Sequence, residues 1–438
     1  MADVNPAELL APEISWTPWW WQDRGPVVIP DFDLPPHVDV LIVGAGYTGL
    51  SAALTLARAG VQVLVCELGD PGEGASSRNG GMVGDRLRYP YSDLRQRFGE
   101  RLAGRMVGEA RQSVDYVERL IQECQIDCHF SRMGRFYGAN RPRDYDAMAR
   151  ELEVEHKAIG GESIMVSRHD QESCTGSPVF HGGRLNPTTG GLQPALFHAG
   201  LLSAVQDAGA MVTARTGVLS VDETDNGMEV ETSFGMIRAD KVLICTNGYS
   251  GPAIPEIHRR VIPIRSTIIA TTEIGPAMVE SLMPGGLMTV DSLNILSYFR
   301  PSPDRQRILL GSRPGIFDNN PRDAAISLIR RLTHLFPQLS RTEITHCWSG
   351  LVAYAFDSIP KVGMTDRLGY AMCYGGSGVA MSTWLGHKLA QKALEDPMGR
   401  TAFDDFEFPT RWYYHGRPWF LPAAMAWYNL VDKWRMRG

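Results

Sequence analysis

The residues Gly44-Ala45-Gly46-Tyr47-Thr48-Gly49 carry the spacing GxGxxG, and the types that fill it could seat a pyrophosphate. Gly44 permits a tight turn, Gly46 lets backbone approach the phosphates, and Gly49 lets a following helix pack on the preceding strand. Alone the pattern is weak. Here it follows the apolar run Val38–Val43, opens a helix reaching Ala59, and precedes a strand, Val61–Cys66, that ends at Glu67. An acid there accepts bonds from ribose hydroxyls and disfavours a 2′-phosphate. The helix start adds free N–H groups and the positive end of the helix dipole. Gly44, Gly46, Tyr47, Thr48, Gly49 and Glu67 are therefore expected to hold an ADP-containing cofactor.

A second stretch, Gly74-Ala75-Ser76-Ser77-Arg78-Asn79-Gly80-Gly81, follows soon after the acid. It offers backbone donors, two hydroxyls and an arginine to a phosphate or a ring edge, although its composition would also serve a surface turn. Other chemistries find less support. Cys124, Cys128 and His129 lie close together but lack a fourth ligand, and none of the seven cysteines has CxxC spacing. Ordinary reduced thiols and no metal are expected, and no Ser–His–Asp signature is present.

The elements that must position these groups are legible as periodicities. Residues 38–43 and 61–66 read as buried strands flanking one helix, a βαβ start that Gly60 punctuates. From about 92 to 160 the pattern is helical, with Val114, Val117, Leu120 and Ile121 on one stripe. A helix is expected over 194–208, then strands near 211–213 and 228–232, and a buried strand Lys241–Cys245 ending in Thr246-Asn247-Gly248. Residues 261–272, 295–300 and 307–312 read as strands of a second, more antiparallel sheet. Helices follow at 323–335 and 378–394, with strands between 347 and 374.

Composition sets the outer bounds. The chain has 438 residues, of which 44% are hydrophobic and 21% charged, enough for two or three folded domains. A formal net charge of −6 argues against a broad nucleic-acid surface. No run of eighteen apolar residues exists, so a spanning helix is not expected, and the first residues lack a secretory pattern. A cytoplasmic location is the expectation.

The segments "DVLIVGAGYTGLSAALTLARAGVQVLVCE", "GASSRNGGM", "QIDCHF", "KVLICTNGYSG" and "CYGGSGVAMSTWLGHKLA" together resemble the FAD-dependent oxidoreductases of the D-amino-acid-oxidase and glycine-oxidase superfamily, and within it the γ-glutamylputrescine oxidase branch. The resemblance covers residues from about 15 to 430. It implies a mixed α/β (α+β) fold, an FAD-binding Rossmann-like domain interleaved with an antiparallel-sheet substrate domain. The first would take residues 37–90, 186–260 and 340–400, the second 91–185 and 261–339, with 1–36 and 401–438 as terminal tails packed on the body. It further implies that Ala75, Ser76, Ser77, Arg78, Asn79, Gly80 and Gly81 run beside the pyrophosphate and flavin. Val218 would pass the adenine, and Thr246, Asn247 and Gly248 would lie near the pyrophosphate. Gly375, Gly376, Ser377, Gly378 and Val379 would start a helix aimed at the flavin's pyrimidine carbonyl, where its dipole stabilises charge that develops on reduction.

The implied reaction oxidises a carbon–nitrogen single bond of an amine or amino acid by hydride transfer to flavin, and the imine then hydrolyses. Oxygen, giving hydrogen peroxide, or another acceptor would reoxidise the flavin. A flavin-containing binding or regulatory subunit, or an amino-acid dehydrogenase with a non-oxygen acceptor, is the alternative. In relatives with a covalent flavin a Cys stands where this chain has Gly350, and Cys347 is three residues away, so FAD is expected to be non-covalent. The oxygen-activating Lys of such relatives has no counterpart on Arg307–Gly311, although Arg313 is close. Tyr298 and Arg300 alternate onto one face of a strand, and Arg300 reads equally as a carboxylate binder or an ion-pair partner. Arg86 and Arg88 follow the flavin loop, where sarcosine-type relatives bind a carboxylate. Trp348, Tyr354 and Trp384 read as walls of an amine site or as core.

The ends are rich in tryptophan. Trp16, Trp19, Trp20 and Trp21 precede the first strand, while Trp427, Leu430, Val431 and Trp434 fall on one helical stripe with Lys433, Arg435 and Arg437 nearby. An interfacial membrane anchor has this pattern, but so does a helix packed on the body, and packing is the expectation, with no membrane association.

Overall fold

Strand His37–Val43 is apolar at nearly every position because both of its faces are covered. The computed structural model, which describes residues 5–30, 32–313 and 320–436, places it near the middle of an eight-stranded sheet. It runs parallel to Val63–Cys66 on one side and to Gly235–Ile244 on the other. Met211–Thr213 and Leu368–Met372 extend the parallel part. The carboxyl ends of these strands therefore open on one edge, the place where such sheets form a binding crevice. Val218–Thr224 and Gly227–Thr232 add an antiparallel ribbon.

A nine-stranded sheet forms the second layer system. Its order is Leu10–Ser15, Ile344–Tyr354, Ile262–Thr271, Ile308–Ser312, Ser297–Pro301, Met288–Asp291, Arg135–Gly138, Gly183–Asn186 and Ile164–Val166. Most neighbours are antiparallel, with parallel pairs at Leu10–Ser15/Ile344–Tyr354 and Arg135–Gly138/Met288–Asp291. Helix Pro321–Leu335 covers it, laying Leu328, Ile329 and Leu332 onto Ile269, Phe299 and Leu310.

Several elements sit where periodicity did not put them. The helical pattern of 92–160 resolves into helices Tyr91–Phe98, Glu100–Glu123 and Pro142–Ile159, interrupted by strand Arg135–Gly138. The stripe of Glu100–Glu123 packs with Leu50 and Leu54 of the first helix (Tyr47–Arg58) and Leu385 and Leu389 of the late helix (Gly378–Ala393), so it shares the core of the eight-stranded sheet. Strand Ile344–Tyr354 pairs instead with the second sheet. For Glu100–Glu123 the stripe marks the buried face but not what buries it.

The two ends differ. Trp19 and Trp20 are buried, and Leu10–Ser15 is a strand. In the C-terminal helix Leu421–Met436, by contrast, Trp427, Leu430 and Trp434 face outward. The stripe expected against the body is turned away because Asp432, on the opposite side, accepts from the backbone N–H of Ile295 (3.1 Å) and from Asn294 Nδ2 (2.6 Å). The side chains of Lys433 and Arg435, and all of Arg437, lie outside the described residues. Among the described residues no helix is long and apolar enough to cross a membrane, and no group of three or more His, Cys, Asp or Glu is placed to hold a metal.

Candidate active site

The turn after strand His37–Val43 is built on glycine for steric reasons. Gly44 has φ +104°, and a Cβ on Gly49 would stand 1.9 Å from the Gly44 carbonyl oxygen. A Cβ on Gly46 would come 3.0 Å from Ser76 Oγ. The helix that follows has Gly46 at its cap with no side-chain bond from the cap residue itself. Ser76 Oγ accepts from Tyr47 N–H at 3.0 Å, so the 74–81 loop is tied to this helix start. The Tyr47 side chain turns inward, its hydroxyl donating to the Pro194 carbonyl at 2.9 Å. Thr48 Oγ1 meets Tyr374 Oη at 2.8 Å.

Glu67 ends the neighbouring strand and accepts from the N–H groups of Ala45 (2.7 Å) and Leu68 (2.9 Å). Burial raises its pKa, an effect these donors oppose. Thr216 N–H bonds the Glu67 carbonyl at 2.7 Å, bringing Val218 along the same edge. Thr246 Cα lies 3.6 Å from where a Gly44 Cβ would be, and Asn247 Oδ1 accepts from Cys373 N–H at 2.9 Å. Gly248 packs on Leu351. At the same edge the late helix begins without a side-chain cap after Gly375-Gly376-Ser377, and Cβ atoms on Gly376 or Gly378 would meet open space. Ser377 Oγ donates to the Arg86 carbonyl, while Val379 is buried.

The loop from Ala75 to Gly81 is clasped by indoles. Trp20 Nε1 donates to the Asn79 carbonyl at 2.8 Å, Trp21 Nε1 to Ser77 Oγ at 2.7 Å, and Trp348 Nε1 to the Arg78 carbonyl at 2.8 Å. The Arg78 guanidinium lies over the Trp21 ring at 4.6 Å. Asn79 closes the turn on itself, its Oδ1 accepting from Gly81 N–H at 2.8 Å. Arg300 completes the clasp from the second sheet. Its Nη1 donates to the carbonyls of Gly81 (3.0 Å) and Leu192 (2.8 Å), and burial lowers its pKa to about 10. Its partners are thus carbonyls, and among the described residues no protein carboxylate forms an ion pair with it.

Tyr298 stands beside it. Its ring packs against Gly80 and over Gly311, where a Cβ would come 2.2 Å from the ring, and its hydroxyl bonds Ser266 Oγ at 2.9 Å. Burial pushes its pKa up to about 12. Arg313 lies over the Tyr354 ring at 5.1 Å and donates to the Tyr354 hydroxyl, and its charge also acts on Tyr298. Tyr354 in turn touches the Gly375 position. Tyr298, Tyr354 and Arg313 thus join the 80–81 end of the loop to the start of the late helix.

Other candidates lie elsewhere. Trp348 is buried with its N–H turned to the loop, and Trp384 bonds Glu109 Oε1 at 2.8 Å inside the helical core. Their rings pack edge-on against aromatic neighbours, Trp348 on Trp20 and Trp384 on Tyr116. Arg86 lies over Tyr137 at 5.2 Å. Gly350 packs against Arg78, whereas Cys347 is buried with the aliphatic core under helix Pro321–Leu335. The sequence reading missed Trp20 and Trp21 as loop ligands, Ser266, and Gly311, although a glycine inside an apolar strand is itself a signal of close approach.

These residues fit an extended dinucleotide, with two uncapped helix starts, a small-residue cradle and an acid on one sheet edge. A family model described as FAD dependent oxidoreductase matches residues 39–392, and the chain belongs to that family. It is 31% identical over 443 residues to the probable oxidoreductase OrdL of Rhizobium meliloti (strain 1021), covering 97% of this chain and 98% of that one. It is 27% identical over 405 residues to the gamma-glutamylputrescine oxidoreductase of Escherichia coli (strain K12), covering 90% and 93%. Its fold superposes on the crystal structure of glycine oxidase from Geobacillus kaustophilus with a TM-score of 0.71 at 23% identity, covering 86% of this chain and 100% of that one.

Proposed function

We propose that the protein oxidises the C–N bond of an amine or amino acid that carries a carboxylate, with FAD held non-covalently. Bound FAD supplies the two-electron acceptor for the hydride leaving the carbon beside nitrogen, and oxygen or another acceptor then takes the electrons. The first helix start and Glu67 would hold the pyrophosphate and ribose, with Val218 at the adenine and Thr246, Asn247 and Gly248 at the phosphates. The clasped loop, Ala75–Gly81, would lie along the flavin, and Gly375–Val379 would face its pyrimidine side. The absence of a thiol at Gly350 and the burial of Cys347 support non-covalent binding.

One observation carries the substrate class: Arg313 lies over the Tyr354 ring and donates to its hydroxyl, near enough to Tyr298 for its charge to act there, at the junction of loop and late helix. Such a guanidinium orients a carboxylate by charge-assisted hydrogen bonds, and the tyrosine rings exclude water around the amine. A partly apolar pocket lowers an amine's pKa and favours the neutral form, whose lone pair hydride departure requires. Arg300 and Trp348 act here by holding the loop.

Strand Ile308–Ser312 carries no lysine, which favours an acceptor other than oxygen and makes an amino-acid dehydrogenase the second reading. Anaerobic mixing with a panel of amines and amino acids, followed by admission of air, tests the proposal. Bleaching of bound flavin by carboxylated amines is expected. A flavin that none of them bleaches would refute it and point to a binding or regulatory subunit, and slow recovery in air would identify the dehydrogenase.

A further inference from the structure

The C-terminal helix Leu421–Met436 is mounted with its polarity reversed. A surface helix ordinarily buries its apolar stripe and shows its charges. Here the buried positions are Met425 and Asp432, and Asp432 is fixed by Asn294 and Ile295. The outward positions include Trp427 (64% exposed), Leu430 (61%) and Trp434 (73%), spaced so that they share one face. Just before the helix, Trp412 and Trp419 are exposed as well, at 87% and 68%. Exposed aromatic surface of this extent marks a binding face.

Charge says what covers it. Residues 409–438 contain Arg411, Arg417, Lys433, Arg435 and Arg437, and their only acid is Asp432, whose carboxylate is spent inside. This segment is basic in a chain of net charge −6. A second copy joined about a two-fold axis would set this basic segment against itself. An anionic lipid surface meets both requirements, taking the indoles and Leu430 at the headgroup boundary and the basic side chains among the phosphates.

We propose that the outward face of the C-terminal helix binds the surface of an anionic membrane, lying in the interface without crossing it. The inference is independent of the substrate reading. Flotation of the flavin-loaded full chain with vesicles tests it, using phosphatidylcholine alone and an equal mixture with phosphatidylglycerol. Binding to the mixed vesicles, weakened by salt and absent from the neutral ones, is expected. Trp427→Ser with Trp434→Ser should lower the partition coefficient at least roughly 100-fold, because two indoles leave the apolar boundary. Lys433→Glu with Arg435→Glu should lower it as well, with an unchanged flavin spectrum and melting temperature showing intact folding in both variants. Failure to bind either vesicle, equal binding by the tryptophan variant, or a concentration-dependent dimer abolished by that variant would each overturn the proposal.

Discussion

Replacing Trp348 by Phe tests whether the indole clasp sets the affinity for the cofactor. The substitution keeps a ring in the same buried space and removes one hydrogen bond, to the Arg78 carbonyl at 2.8 Å. Trp348 is 2% exposed, so water does not readily replace the donor. The loss is then about 1–2 kcal/mol, between an ordinary hydrogen bond and an unsatisfied buried carbonyl. On the proposed binding mode FAD binds the closed loop, so its apparent dissociation constant rises as the closed population falls. The expected weakening is roughly 5- to 30-fold. Titration of the apoprotein with FAD, followed by flavin fluorescence, measures it, and turnover at saturating FAD should stay within about twofold, because the loop is closed whenever the cofactor is bound. An unchanged dissociation constant with a lower melting temperature would refute the reasoning, since the indole would then only stabilise the core. A fall in turnover at full FAD occupancy would refute it too, by placing Trp348 at the chemistry.

Gly49→Ala should yield a protein without flavin absorbance, because its Cβ would stand 1.9 Å from the Gly44 carbonyl oxygen; retention of a yellow colour would sink that expectation. Arg313→Leu should raise KM for a carboxylated substrate roughly 10- to 100-fold and leave FAD affinity unchanged, as expected from loss of a charge-assisted contact. An equal change for an amine without a carboxylate would count against the role given to Arg313. Burial raises Asp291 from 3.8 to about 6, so the folded state holds its proton more tightly than the unfolded chain does. The associated stability is present below about pH 4 and lost as pH rises through about 6, at a cost of about 3 kcal/mol. Asp291→Asn should flatten this part of a plot of melting temperature against pH, provided its amide keeps the bond from Leu293 N–H.

The local part of the architecture was readable because it is written in contiguous residues. The run Val38–Val43, the turn Gly44–Gly49 and the strand ending at Glu67 are neighbours in sequence, and each imposes a requirement on the next. What escaped was long-range pairing. Nothing local to Trp20, Trp21 or Trp348 says that their N–H groups meet on residues 77–79. Arg300 was correctly placed on a face shared with Tyr298, but its partners are carbonyls of Gly81 and Leu192, which no charge pattern reveals. The stripe of the C-terminal helix was recognised as a stripe and assigned to the wrong side, because one aspartate with specific partners outweighed the apolar residues in orienting it.

Strand Leu10–Ser15 finds its parallel neighbour only at Ile344–Tyr354. On a ribosome moving at roughly 5–20 residues per second, this strand must wait tens of seconds for a neighbour about 330 residues later to emerge. Trp19 and Trp20, which follow it and pack against Ile268, Leu309 and Trp348, are meanwhile uncovered, a natural target for chaperones.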